Sequence, residues 1–326
     1  MANTLADMRL DDLDRRLIEV LQCDGRVSAE RAATVLGLDI RVVHRRWASL
    51  LGDGTVRVVA APPRQGAGGV LLLRIQVLPG KLDAVTAALV SRADIPFVDV
   101  SASGNEIGAV LLAEPDHRNR LVFRQFPATA AVTSVVAETV LHVYTDATDW
   151  RLDALTVDER VQLTQPPPGD PAGAQLDDLD RSLAAELAVD ARMSAATLAA
   201  RTGSPESTVR RRLAALFRQR RLITHVSVDP ERLGLTVDAN LWIQLPPAQL
   251  DAAGRTLARH RAVHGALAVT GQHNLHLAVW LRDLEHLYRF ITEDLAEFDI
   301  SAIDTVLVGQ AVKRPGKRPG GGRPGR

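Results

Sequence analysis

Between Leu10 and Leu51 apolar residues recur every three or four positions, and cap and turn residues separate the runs. Leu13, Leu17, Val20 and Leu21 share one face at helical spacing. Asp11 stands where a helix cap is needed, with Asp14 three residues later in the capping-box position, and "DGR" from Asp24 ends the run. Ser28 caps a second segment, "AERAATVL", which stops at Gly37. A third begins after Asp39, with Val43, Trp47 and Leu50 as its apolar stripe. The pattern predicts three short helices with a tight turn before the third.

From residue 69 the period changes. "GVLLLRIQVL" reads as a buried strand, "KLDAVTAALVSRA" as a helix, and "PFVDVSAS" and "IGAVLLAE" as strands around a Gly-Asn turn. "DHRNRLVFRQF" reads as a second helix and "VTSVVAETVLHVYT" as the closing strand. The order βαββαβ predicts a ferredoxin-like split βαβ sandwich. With both helices on one face of the sheet, residues such as Val70 and Leu72 and the strand beginning at Val135 have apolar side chains to spare on the other. That face needs a partner sheet, supplied by oligomerisation or by a second copy in the same chain.

A second copy exists. Placing Leu10 on Leu176 and reading 41 positions without gaps gives 19 identities, opening with "LDDLDR" in both. Asp177 and Asp180 open the first helix, Ser194 caps the second, which ends at Gly203, and Ser204 with Pro205 starts the third. Its stripe is Val209, Leu213 and Leu216. The six later elements return as "VDANLWIQL", "AQLDAAGRTLARH", "VHGALAVTG", "NLHLAVWL", "LEHLYRFITEDLAE" and "SAIDTVLVGQAVKR", and "SASGNE" from Ser101 answers "AVTGQH" from Ala268. Between the copies, "PPPGDP" reads as linker; after them, "KRPGKRPGGGRPGR" reads as a disordered basic tail. The expected domains are helical units over 8–58 and 175–228, ferredoxin-like modules over 66–146 and 234–313, a linker over 147–174 and a tail over 314–326.

Composition changes this picture little. Lys plus Arg equals Asp plus Glu at 39 each, so local distribution must decide whether nucleic acid is a partner. Three short helices with a tight turn before the third form a helix-turn-helix, whose third helix enters the major groove. The face opposite its apolar stripe carries Arg41, His44, Arg45 and Ser49 in the first copy, and Ser207, Thr208, Arg210 and Arg211 in the second. Arginines and small hydroxyls suit phosphate and base-edge contacts; the plainer alternative is a solvated basic face. Six arginines and no acid from Arg210 to Arg221, in a chain without net charge, favour DNA. Cys23 is the only cysteine, which fits a reducing cytosol and a packing role. No secretory signal or bilayer-length apolar run is present, so a cytoplasmic, nucleoid-associated location is expected. His273 and His276 would point to opposite strand faces, and no nucleophile motif or phosphate loop occurs, so neither a metal, a cofactor nor a catalytic group is expected.

Both helical segments, "LDDLDRRLIEVLQCDGRVS" with "LGLDIRVVHRRWASLLGDGTV" and "LDDLDRSLAAELAVDARMS" with "STVRRRLAALFRQRRLI", resemble the helix-turn-helix of the Lrp/AsnC, or feast/famine, transcription regulators. The opening Leu-Asp-x-x-Asp and an Arg on the third helix, Arg46 and Arg212, occur in both copies. Gly54 precedes the following strand in the first copy, where the second has Arg220; the first offers Asp39, Ile40 and Val42 where Ser or Thr is usual. "AVTGQHNLHLAVWLRDLEHLYRFI" resembles the family's effector-binding and dimerisation module. The resemblance implies an α+β chain with two winged helix-turn-helix units, each followed by a ferredoxin-like module. It implies a sequence-specific regulator that binds double-stranded operator DNA and an effector such as an amino acid, and acts as a homo-oligomer or by pairing its own halves. Carried over by position, the effector turns are Thr270, Gly271, Gln272, His273 and Asn274, and Ser103, Gly104, Asn105, Glu106 and Ile107. Each turn is alternatively a hairpin without a ligand, and the first copy takes a different ligand or none. Siroheme-type, heme-pathway decarboxylases share this two-module plan and remain the enzymatic alternative; the arginine run argues against them.

Overall fold

The computed structural model describes residues 10–63, 69–112, 125–126, 129–164 and 176–314. In chain order the first copy forms α1 (Asp12–Cys23), α2 (Ala29–Leu36), α3 (Ile40–Gly52), β1 (Val56–Ala61), β2 (Val70–Val77), α4 (Leu82–Val90), β3 (Phe97–Ser101), β4 (Glu106–Leu112) and β5 (Val132–Thr145). After α5 (Val157–Leu163) the second copy forms α6 (Asp178–Leu187), α7 (Ala195–Thr202), α8 (Glu206–Arg218), β6 (Ile223–Val228), β7 (Val237–Gln244), α9 (Pro247–Leu257), β8 (Val263–Val269), β9 (Leu275–Leu281), α10 (Leu284–Arg289) and β10 (Ala302–Lys313). The expected helix over 116–126 falls almost wholly outside the described residues, as do the Pro-rich part of the linker and the tail beyond Arg314. The chain sorts like with like: Met1–Arg64 with Arg151–Leu233 make one compact unit, and Gln65–Trp150 with Gly234–Arg326 the other.

In the helical unit each cap expected from sequence is formed, with one exception. The Asp11 carboxylate accepts from the Asp14 N–H and the Asp14 carboxylate from the Asp11 N–H, closing the capping box. Ser28, Asp39, Asp177 and Ser194 each cap their helix with a side-chain oxygen that accepts one backbone N–H, without the reciprocal bond, and Gly37 and Gly203 end theirs at φ 65° and 64°. The exception is α8, which starts one residue later than Ser204–Pro205 predicts. Pro205 itself holds the cap position, extended at ψ 137°, and its carbonyl accepts the N–H groups of Thr208 and Val209. The apolar stripes point inward: Leu17, Val20, Leu21, Val43, Trp47 and Leu50, and Leu183, Leu187, Val209, Leu213 and Leu216, are buried.

Among the described residues neither copy forms a self-contained wing. One strand follows each third helix, and a lone strand must pair with something; β1 pairs antiparallel with β6, from Val56↔Val228 to Ala61↔Ile223. The copies also exchange arginines. Arg26, in the loop after α1, donates to the carbonyls of Ala191 and Met193, and Arg192, in the loop after α6, donates to those of Gly25 (2.8 Å) and Val27 (3.2 Å). Each guanidinium also covers an aromatic ring of the other copy, Arg26 over Phe217 and Arg192 over Trp47 at 4.8 Å. Burial lowers both guanidinium pKa values. Gly25 permits this approach, because a Cβ there would lie 2.7 Å from the Thr224 and Val58 side chains.

Part of the stretch read as linker is folded. Thr156 and Glu159 make a capping box for α5, and Leu155 and Leu163 are buried. Glu19, wholly buried on α1, accepts the N–H groups of Ala154 and Leu155 and pairs with Arg160 at 2.9 Å. An apolar pair and a buried carboxylate thus hold residues that linker composition alone would leave loose.

In the other unit the strands form a closed barrel in the order β10-β3-β4-β2-β5-β8-β9-β7. Within each copy the first strand is central: Ile75 lies between Ile107 and Val135, and Ile243 between Leu275 and Ile303. The copies join edge to edge twice at equivalent positions, Val140↔Val269 and Val308↔Ser101. This closure leaves neither sheet with an open edge. Two cores lie between sheet and helices, around Leu73, Ile75 and Ile107 and around Leu241, Ile243 and Leu275. A third fills part of the barrel with Val70, Leu72, Val140, Trp242 and Val269. The segment after Arg289 departs from the α-helix expected there: Leu295 N–H donates to Phe290 C=O across a π turn, which puts two residues five apart on one buried side.

Candidate nucleic-acid interface and effector turns

The third helix of each copy is amphipathic, so burial of its stripe leaves the opposite face in solvent. Arg41, His44, Arg45 and Ser49 are exposed on α3. On α8, Ser207, Arg210 and Arg211 are exposed and Thr208 is half-buried. Arg210 pairs with Glu206 one turn earlier, an exposed contact that contributes little to stability.

The arginine run divides by direction. Arg212 faces inward, 2.8 Å from Asp177 and 3.7 Å from Asp180, and Arg221 reaches Asp180 at 3.3 Å. Arg46 does the same in the first copy, 2.8 Å from Asp11 and 3.1 Å from Asp14. The repeated Leu-Asp-x-x-Asp therefore has two tasks: its acids cap the first helix and clamp the third. Burial raises the Asp14 pKa. At Asp11 burial acts the same way, but the Asp14 N–H and Arg46 outweigh it and hold the carboxyl below its ordinary value. Of the six arginines from Arg210 to Arg221, Arg211, Arg218 and Arg220 remain exposed beside Arg210. Arg220 occupies the left-handed region at φ 51°, where Gly54 sits at φ 77° in the first copy.

The two candidate effector turns are built differently. Thr270, Gly271 and Gln272 are exposed, and His273 and Asn274 are half-buried. The Asn274 side chain is spent on the turn: its Nδ2 donates to Leu245 C=O, and its Oδ1 accepts from Leu245 N–H. The last strand of the other copy completes this turn. Thr139 N–H donates to Thr270 Oγ1 at 2.9 Å and its carbonyl accepts from Thr270 N–H. A Cβ on Gly271, which has φ 110°, would lie 2.7 Å from Glu138 Oε1. Glu138 is 5% exposed, and burial lifts its pKa to about 7 against the pull of Arg74. Nothing in local sequence marks Glu138 or Thr139 as neighbours of Thr270; the barrel brings them together.

In the first copy Ser103, Gly104 and Asn105 are exposed but bonded among themselves: Ser101 Oγ lies 2.9 Å from Ser103 Oγ, which donates to Asn105 Oδ1. Glu106 and Ile107 are buried. Glu106 turns into the barrel and holds Arg74 through Oε1 at 2.8 Å and Oε2 at 3.1 Å. Aligning the turn glycines sets Ile107 opposite Asn274, but the ladders set Ile107 opposite Leu275 and so Glu106 opposite Asn274. The glycines therefore stand one position apart in the two turns.

The AsnC-type helix-turn-helix domain model matches residues 10–51 and 176–216, and the Lrp/AsnC ligand binding domain model matches residues 238–317. An uncharacterized HTH-type transcriptional regulator of Pyrococcus abyssi is 35% identical over 126 residues, covering 38% of this chain and 80% of that protein. HTH-type transcriptional regulator AldR of Mycobacterium tuberculosis is 32% identical over 145 residues, 41% of this chain and 78% of its own. The crystal structure of the siroheme decarboxylase NirDL aligns over 93% of both chains with TM-score 0.54 and 16% identity, a likeness of fold.

Proposed function

The chain belongs to the Lrp/AsnC family of transcriptional regulators, and from that premise we propose that it is a single-chain counterpart of a dimeric regulator, with two unlike DNA-reading helices. One observation carries the reading. The two copies keep the same inward clamp, Arg46 and Arg212, while their outward faces differ, Arg41, His44, Arg45 and Ser49 against Ser207, Thr208, Arg210 and Arg211. Side chains that touch no core are free to diverge in specificity, so the operator has two different half-sites rather than a palindrome. The paired ferredoxin-like modules take the place of a dimer's two subunits. The second-copy turn Thr270–Asn274, with Glu138 behind it, is the effector site, and an amino acid is the class of ligand it suits. Ser103 and Asn105 are spent on one another and on Ser101, Gly104 N–H on the Ser101 carbonyl and Glu106 on Arg74, which supports the second turn over the first.

The protein acts without catalysis in this reading. The decarboxylase alternative shares the fold, but the cavity among the described barrel residues is about 70 Å³, smaller than the roughly 300–1,000 Å³ of pockets for drug-sized ligands. Mobility-shift titrations with genomic binding fragments test the DNA reading: replacing Arg210 and Arg211 with Ala weakens binding and flattens its salt dependence. Unchanged titrations overturn it. A thermal-shift panel of amino acids, repeated on Gln272→Ala with His273→Ala, tests the effector site.

A further inference from the structure

We infer that the barrel interior holds a second ligand site, on the first-copy side, for a small primary ammonium ion. The inference stands whether or not the turn Thr270–Asn274 binds an effector. It starts from how the duplicated strands have diverged. In barrel register, the second copy's Leu267, Val269 and His276 correspond to Asp99, Ser101 and Gly108 in the first. Val269, with Leu267 packed against it, belongs to the apolar plug of the barrel. Asp99, Ser101 and Gly108 instead line a cavity of about 70 Å³. Scaled from the ~150 Å³ cavity that holds benzene, this is room for about three heavy atoms.

The wall accepts hydrogen bonds more than it donates them. Each nitrogen of Arg74 already donates into an ion pair, Nε and Nη2 to Glu106 and Nη1 to Asp304 at 2.6 Å, which leaves one further N–H on each Nη. His276, 7% exposed, also lines the cavity. Its Nε2 lies 3.1 Å from Asn240 Oδ1 and so carries the proton, which makes Nδ1 an acceptor, and Nδ1 has no hydrogen-bond partner among the described residues. Burial first, with His264 and Arg74 adding to it, keeps this imidazole neutral, with a pKa lowered to about 3. The charges around the wall lean the same way. Arg74 pairs with Glu106 and Asp304, and Arg314 with Asp99 and Asp238, which also has His264 at 3.8 Å, so two guanidiniums and one imidazole face four carboxyl groups, of which burial raises the Asp99 pKa. A guest that donates hydrogen bonds and carries one positive charge satisfies the orphaned imidazole nitrogen and part of that excess.

Gly108 gives a direct test. A Cβ there would meet only Asp99 Cβ, at 3.9 Å, so a larger side chain grows into empty space. Ethylammonium is the probe, with ethanol and acetate as size-matched neutral and anionic controls, read by saturation-transfer NMR and melting temperature on the full chain. Ethylammonium is expected to saturate with a Kd on the order of 1 mM, as its size allows, and to raise the melting temperature by about 2–4 °C. Gly108→Leu, which fills the cavity, and His276→Phe, which keeps a ring but removes Nδ1, should each weaken binding at least about tenfold, the loss of one charged hydrogen bond. Circular dichroism and a cooperative melting transition report whether each variant is folded, and His276→Phe decides the matter if Gly108→Leu is not. No saturable ethylammonium signal, an equal response to acetate, or binding unchanged in the folded variants overturns the inference, leaving the cavity to water.

Discussion

The third helices α3 and α8 show two sides of one duplication. Inward, they keep the same apolar positions: Val43 and Val209, and Leu50 and Leu216, fill the same places, Leu213 stands where Trp47 does, and Arg46 and Arg212 reach equivalent pairs of acids. Outward, Arg41 and His44 in one copy stand at positions of Ser207 and Arg210 in the other. Packing restrains what faces the core, since a methylene too many or too few is felt there. Nothing comparable restrains a solvated face. The barrel repeats the lesson in reverse, because there the interior itself has diverged, into an apolar plug on one side and a cavity with charged and polar groups in its wall on the other.

The largest effect expected from breaking this comparison lies on the outer faces. Arg210→Ala with Arg211→Ala should weaken operator binding by about 10²-fold and reduce the salt slope by about two. Arg41→Ala with Arg45→Ala should cost less, since α3 lacks the hydroxyl-rich start of α8; an equal loss in mobility shifts would show both helices reading with equal weight. Next come the inner clamps. Arg46→Ala leaves Asp14 without its guanidinium and should cost about 2 kcal/mol, a melting-temperature drop of about 4–8 °C. Arg212→Ala should cost about half as much, because Arg221 still reaches Asp180; equal drops on calorimetry would remove that distinction.

A smaller contrast separates Glu138 from Val306, its equivalent in the second copy. With a carboxyl pKa raised from 4.5 to about 7, the folded chain keeps a proton that the unfolded chain releases, so this group makes stability fall as pH rises from 4.5 to 7. His276 acts oppositely: lowered from 6.5 to about 3, it costs stability as pH falls through that window. Glu138→Gln should therefore leave a stability that climbs with pH up to 6.5, and denaturant titrations with the wild-type pH profile would disprove it. The smallest effect is at Arg220. Arg220→Gly restores the residue that Gly54 supplies in the first copy and should stabilise by about 0.5–1 kcal/mol, since a side chain at φ 51° is strained; a lower melting temperature would mean the Arg220 side chain contributes more than its backbone costs.

Much of this was written locally and could be read locally. The caps at Asp11, Ser28, Asp39, Asp177 and Ser194, the stops at Gly37 and Gly203 and the buried stripes all depend on residues within a turn or two of one another. Strand order within each copy follows from short connections and one apolar face. Exposure of the recognition-helix side chains follows from the same periodicity. What sequence left open involved residues far apart in the chain. The partner of each sheet, the missing wing, the Arg26–Arg192 exchange, the anchoring of α5 by Glu19 and the placing of Glu138 behind Gly271 each depend on which surfaces meet. A one-residue offset between the turn glycines, invisible in an ungapped alignment, was set by the strand ladders. Sequence alone determined the repeated elements and the faces they turn to solvent, because these follow from neighbours along the chain. Only the tertiary structure decided that the two copies pair with each other, since unpaired strand edges and apolar faces specify that a partner is needed but not which one.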